Sequence, residues 1–250
     1  MNHTIRSGRF GVESESGYQG LEAVSGQDVE DVRVRVARRK RERMRERLLS
    51  AALSIFLSDR GGDAAIAEDV MKVAGVSRGT FYKYFNSVEE AADAVGQRLA
   101  DEAVRELIRA FSGQKRAPIE RAALGAQLLM SRAVVQPAWG GFVSRSGHLS
   151  RDSTYAAAVR RTTLDGRASG DFKFKSTKAA VDFQIGAVME GVRRIVVGQP
   201  HPRAYLCEVA AMTLKGLGAD HKRSDAACAK ASRDLSIIGP QHLPWWRDFN

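Results

Sequence analysis

The sequence predicts an all-α protein. Three observations carry this. Apolar residues recur at helical spacing, as in Met44, Leu48, Ala51/Ala52 and Ile55/Phe56, while strand-like alternation is scarce. Aromatic residues are only 7% of the chain and alanine is frequent, which favours helices. Helix caps and stops punctuate the chain at Gly61-Gly62, Gly75, Ser77, Ser87, Pro118, Ser176 and Pro202. With 250 residues, 44% of them hydrophobic, the chain can bury a core as one large domain or two small ones.

In order, residues 1–32 are rich in Gly, Ser, Glu and Gln. They bury too little to offset ordering entropy, so residues 1–36 are expected to be a disordered tail with a basic end. Residues 33–47, RVRVARRKRERMRER, hold nine Arg/Lys and two Glu, and so carry most of the excess behind the formal net charge of +10. Such a run is either a solvated helix face or an arm for a polyanion. A first helix then runs to about Arg60.

Residues 65–85, AIAEDVMKVAGVSRGTFYKYF, read as two short helices joined at Ala74-Gly75-Val76. Gly75 sits where a left-handed residue ends the first, since a residue without Cβ enters that region cheaply. Ser77 is a good N-cap for the second. Val76 and Phe81 are spaced as a hydrophobic staple. Phe81 and Phe85, four apart, point inward. Arg78, Tyr82, Lys83 and Thr80 are left outward, a set of donors suited to base edges and phosphates. Gly79 removes a side chain, letting a phosphate backbone approach. Spacing leaves Tyr84 between packing and phosphate contact.

This stretch resembles the DNA-binding domain of TetR-family transcriptional regulators. The likeness runs from about Arg45 to Glu90: Leu48-Leu49-Ser50-Ala51-Ala52, Phe56 and Gly61, then Ala74-Gly75-Val76-Ser77, Thr80-Phe81-Tyr82-Lys83-Tyr84-Phe85, and Ser87 with Glu89-Glu90. Ile66 and Val88 stand where the family usually has Thr and Lys. The resemblance implies phosphate contacts from Thr80, Tyr82 and Tyr84, and base contacts from Arg78 and Lys83. With Ser77 and Gly79 these form the expected DNA-binding set.

Beyond the motif, Ser87 is expected to cap a helix over about 88–112, buried through Val95, Leu99, Ala103 and Leu107. Pro118 opens a helix of about 19 residues that Pro137 follows. Trp139-Gly140-Gly141-Phe142 and Ser146-Gly147 read as a break, and Ser150 as the next cap. Ser176 caps a helix to Val197, and Pro202 opens another to about Leu217. Their short connection makes them an antiparallel hairpin. Ala180, Ala187 and Gly191, with Val181, Ile185, Val188, Val192 and Ile195, make one of its helices apolar over much of its girth. That fits a monomer core or, as the resemblance implies, a four-helix bundle with a second subunit.

The resemblance thus divides the chain into the tail (1–36), a helix-turn-helix domain (37–87), a helical effector-binding and dimerisation domain (88–220) and a C-terminal extension (221–250). It implies a homodimer on double-stranded operator DNA and a small-molecule effector. Met130, Trp139, Phe142, His148 and Phe172 are the expected pocket residues. The extension ends in Pro244-Trp245-Trp246-Arg247-Asp248-Phe249 and either folds back or frays.

No cofactor, metal or enzymatic signature is expected. Cys207 and Cys228 lack a CxxC spacing, the histidines make no HExxH, and Gly141–Gly147 has the wrong spacing for a nucleophile elbow. Gly216-Leu217-Gly218 lacks a third glycine. No apolar run spans a bilayer and the N-terminus lacks a signal-peptide core, so a cytoplasmic protein without a membrane partner is expected. The rival reading is a small-molecule-binding helical protein whose helix-turn-helix is only structural.

Overall fold

The computed structural model describes residues 26–58, 63–111, 115–146 and 153–249. They form helices and no strand: α1 (Gly26–Phe56), α2 (Asp63–Ala74), α3 (Arg78–Tyr82), α4 (Val88–Phe111), α5 (Pro118–Val135), α6 (Pro137–Ser146), α7 (Thr154–Ala168), α8 (Thr177–Gly198), α9 (Pro202–Gly216) and α10 (His221–His242). Two compact units divide the chain, one ending at Met44 and one beginning at Arg45.

In the first unit, residues 26–36 are helical, which corrects the expectation of disorder there; the rest of the expected tail lies outside the described residues. Residues 34–43 are exposed, so no buried apolar face supports that stretch of α1. Charged side chains at i,i+4 spacing do, as in the 3.7 Å pair Arg38–Glu42.

In the second unit, α5 is the hub, in contact with α4, α6, α7, α8, α9 and α10. Its sequence explains this, because residues 126–133 are buried without interruption and the helix must be covered on all sides. Pro118 at its first turn costs no intrahelical bond. Pro137 does not close a helical region but opens α6, so the expected break at 139–142 is a helix. Gly140 makes this possible: a Cβ there would lie 2.8 Å from both Ala133 and Val196, so its absence lets α6 lie close against α5 and α8. Ser153 caps α7 by accepting from Ala156 N at 3.0 Å, whereas the expected cap Ser150 lies outside the described residues. Ser176 caps α8 as expected, accepting from Ala179 N. The small and apolar positions of α8 serve the chain's own core. Gly191 meets Met130 of α5, and Ala180, Val181, Ile185, Val188, Val192 and Ile195 are buried.

The largest departure is at the C-terminus. Residues 221–242 are one helix, α10, capped by Asp220 and carrying Pro240 inside it. Proline removes one donor, but only near the helix end, where Leu243 N still bonds Gly239 O at 3.0 Å. The chain then turns, and Trp245 and Trp246 are both buried. The Trp246 ring lies against Gly239, where a Cβ would sit 2.2 Å from it. Arg203 of α9 donates to the Phe249 carbonyl at 2.6 Å and stacks over its ring. Of the two readings open for this segment, folding back is the one observed.

Candidate nucleic-acid interface and internal cavity

The motif is built by local chemistry. Gly75 has φ +58°, the left-handed value at which α2 ends. Ser77 is extended and accepts from Thr80 N at 3.2 Å, starting α3. The fully buried rings of Phe81 and Phe85, 5.8 Å apart, anchor α3 from below. Arg45 of α1 lies over the Phe85 ring. Glu90 N donates to Ser87 Oγ, the N-cap bond, while Asn86 N donates to the Glu90 carboxylate, so two bonds fix the start of α4. The Ser87 hydroxyl also bonds Glu89, holding its carboxyl below the usual range. Ile66, at the place of the family's Thr, lies within α2 and is half-buried, so it is not at that helix's start.

The expected reading residues share one short stretch. Ser77, Arg78, Gly79, Tyr82 and Lys83 are exposed; Thr80 and Tyr84 are half-buried. The Arg78 guanidinium lies 5.4 Å from the Tyr82 ring centroid, a stacking that orients it along the helix. Ser77 Oγ and Thr80 Oγ1 are 3.1 Å apart, so the cap also holds the Thr80 hydroxyl. A Cβ at Gly79 would meet nothing within 4 Å, so the surface there is open.

The expected pocket residues that the structure describes do not line the cavity between α4, α5, α7 and α8. Met130, Trp139, Phe142 and Phe172 are packed into the core at separate contacts, and His148 lies outside the described residues. Trp139 lies under the Arg132 guanidinium at 4.7 Å, Phe142 is 5.6 Å from Phe56, and Phe172 fills the space beside Gly166. A cavity of about 470 Å³ opens elsewhere, between α4, α5, α7 and α8. Its walls include Leu107, Phe111, Ala126, Val159, Ile185 and Val188. Small residues at Ala122, Gly125, Ala126 and Ala158 leave the room. Its polar groups are Arg121, Tyr155, Arg161, Thr162 and Gln184. Arg121 Nη2 pairs with Asp165 at 2.7 Å, and Arg161 reaches the other Asp165 oxygen at 3.6 Å. Gln184 Nε2 donates to Thr163 Oγ1 at 3.1 Å. Burial raises the Tyr155 phenol well above its ordinary pKa, so it stays neutral.

No cluster of three or more metal-ligating side chains, and no helix long and apolar enough to cross a membrane, occurs among the described residues.

Residues 48–95 match the bacterial regulatory proteins of the tetR family. The chain is 39% identical over 54 residues to the HTH-type transcriptional regulator YvdT of Bacillus subtilis strain 168. That match spans 22% of this chain and only 27% of YvdT's length. Among solved structures, RolR in complex with resorcinol is 21% identical, with a TM-score of 0.63, covering 77% of this chain and 96% of RolR. The fatty acid degradation regulator FadR from Bacillus halodurans is 18% identical, with a TM-score of 0.55, covering 70% of this chain and 97% of its own. Residues 48–95 thus match the tetR-family helix-turn-helix in sequence, and the chain shares its fold with these solved structures.

Proposed function

We propose that the protein is a cytoplasmic transcriptional repressor, not an enzyme, that binds a pseudo-palindromic operator as a homodimer and is released by a small molecule in the α4–α8 cavity. One observation carries the DNA-binding part: the outward face of α3. Arg78, Tyr82 and Lys83 stand exposed on a helix locked by the Gly75 turn, the Ser77 cap and two buried phenylalanines. A helix-turn-helix kept only as a structural brace would have no need of that cationic, stacked surface. Within it, Arg78 and Lys83 reach base edges, while Ser77, Thr80, Tyr82 and Tyr84 hold phosphates and Gly79 admits the backbone.

One such helix reads one half-site, so a second copy is needed. The surface suited to it is on the α8–α9 hairpin, where Phe183, Val197 and Met212 remain exposed in the single chain. The inner face of α8 is already consumed by the core. The cavity supports a small-molecule effector, and resorcinol bound to RolR is a precedent in the same fold. Release requires the effector to favour a conformation whose two reading helices no longer match the half-sites.

Gel shift and footprinting on the DNA upstream of the protein's own gene test this. Two protected half-sites about one helical turn apart are expected. Arg78→Ala is expected to cost about 1–3 kcal/mol and relax preference at one base pair. Tyr82→Phe keeps the ring under Arg78 and weakens all sequences alike. Absence of any protected fragment would sink the proposal.

A further inference from the structure

We propose that the cavity takes an uncharged ligand with an apolar body and a hydroxyl group that donates to Gln184 Oε1. This rests on the reading of the cavity as an effector site and adds the chemical class of the effector.

The side-chain amide of Gln184 is fixed in one orientation. Thr163, fully buried on α7, donates its hydroxyl proton to the Val159 carbonyl at 2.8 Å. Toward Gln184 it can then only accept, so the amide turns Nε2 to it at 3.1 Å. Gln184 Oε1 is left without a partner among the described residues. The residue lines the cavity and is only 8% exposed, yet Oε1 is not sealed from solvent as Arg121 Nε is. The opening that reaches it is the cavity. Tyr155, 3% exposed and also on the lining, presents a second such oxygen, a hydroxyl without a partner among the described residues and likewise unsealed.

A free acceptor calls for a donor on the ligand. A ligand that displaces water from Oε1 without donating to it leaves a buried acceptor unpaired, and such sites discriminate against analogues that lack the matching group. A hydroxyl supplies the donor, and the neutral Tyr155 phenol serves a ligand oxygen as either donor or acceptor. Charge points the same way. No acidic side chain lines the cavity, Arg121 is paired with Asp165, and Arg161 is largely exposed, so an ion of either sign finds no unpaired counter-charge. A carboxylate would set acceptors against an acceptor. An ether or ketone accepts only. An amide donates but brings a carbonyl that must also be desolvated. The rest of the wall, with Leu107, Phe111, Val159, Ile185 and Val188, is aliphatic or aromatic, and about 470 Å³ is far more than one hydroxyl fills. The body of the ligand is therefore apolar.

The test is calorimetry on the full chain with matched probes: 4-butylphenol, its methyl ether 4-butylanisole, 4-butylbenzoate, and 1-octanol as an alkyl alcohol. The phenol is expected to bind about ten-fold or more tighter than the ether and the benzoate. The ratio of phenol to octanol distinguishes an aryl from an alkyl body. Gln184→Leu removes the acceptor and is expected to weaken the phenol while sparing the ether, bringing the two within about two-fold. Thr163→Val keeps the shape of its residue but loses the bonds that orient the amide, and is expected to reduce the preference with Gln184 still in place. Ala158→Phe, which fills the cavity, is expected to abolish binding of all four probes. No phenol or octanol binding, ether or benzoate as tight as phenol, a preference unaltered in Gln184→Leu, or full binding in Ala158→Phe would overturn the proposal. Should a variant fail to fold, the probe series on the wild-type chain decides alone. A gel shift run in parallel separates the two ideas: DNA binding without hydroxyl preference sinks the ligand class, whereas hydroxyl preference without DNA binding sinks the repressor.

Discussion

Trp245 and Glu106, 139 positions apart, are joined by a 2.7 Å hydrogen bond from the indole Nε1 to the carboxylate. The same Glu106 oxygen accepts from Arg132 at 3.2 Å, and the Arg132 guanidinium lies over the rings of both Trp139 and Trp245. The chain end is thereby fastened to α4 and α5. Burial raises the Glu106 pKa above the ordinary carboxylate value of 4.5, against the pull of Arg132 and of the indole bond.

A raised native pKa means that the folded state binds the proton more tightly than the unfolded one. The stability contributed is full below 4.5 and lost as pH rises through the native pKa. Glu106→Gln has no such proton to take up. The wild type should therefore gain stability relative to Glu106→Gln as pH falls from neutrality toward 4.5, measured by urea unfolding at several pH values. A constant difference would mean that Glu106 titrates normally.

Gly239 has no room for a methyl group, because its Cβ would overlap the Trp246 ring. Gly239→Ala should thus destabilise by about 1–3 kcal/mol despite alanine's better helix propensity. A chain truncated after Leu243 should make the alanine neutral or stabilising. Melting temperatures of the four combinations check this.

At Gly79 the sign reverses. A methyl group meets nothing in the protein, so Gly79→Ala should leave stability unchanged or raise it by up to about 1 kcal/mol. If a phosphate backbone approaches there, operator affinity should fall in the same variant. Calorimetric melting and gel shift on one preparation give both answers.

The basic first helix should act through charge alone. Deleting residues 1–40 should lower DNA affinity without changing sequence preference. The slope of log K against log salt should shrink by about 0.9 for each phosphate no longer neutralised. An unchanged slope would mark Arg38, Arg39 and Lys40 as merely solvated.

The elements legible in the sequence were those specified by their own neighbours. The Gly75 turn, the Ser77, Ser87 and Ser176 caps and the Pro118 and Pro202 starts are local signals, and each lies where its spacing indicates. What failed was set by distant partners. Pro137 and the residues after it read as a break, but Gly140 against Ala133 rewards helix there. The cavity was not legible from the large aromatic residues, which fill the core, because its space comes from small ones. Ala122, Gly125 and Ala126 on α5 face Ala158 and Val159 on α7, and Val104, Leu107, Ile108 and Phe111 on α4 share one stripe. Those i,i+3,i+4 spacings were readable, but their pairing across helices was not. The docking of Trp245 on Glu106 had no local signal at all.

The clustering at Arg132 also makes the protein its own optical instrument. All three tryptophans of the chain, Trp139, Trp245 and Trp246, belong to this one network: two share a cation and two are ring neighbours at 5.9 Å. The reading helix contributes tyrosine but no tryptophan. Light emitted on excitation of the indoles therefore originates from α6 and the fastened chain end, and carries no direct signal from DNA contact. A change in that emission when operator DNA is added would be a measurement of action at a distance, obtained without attaching any dye.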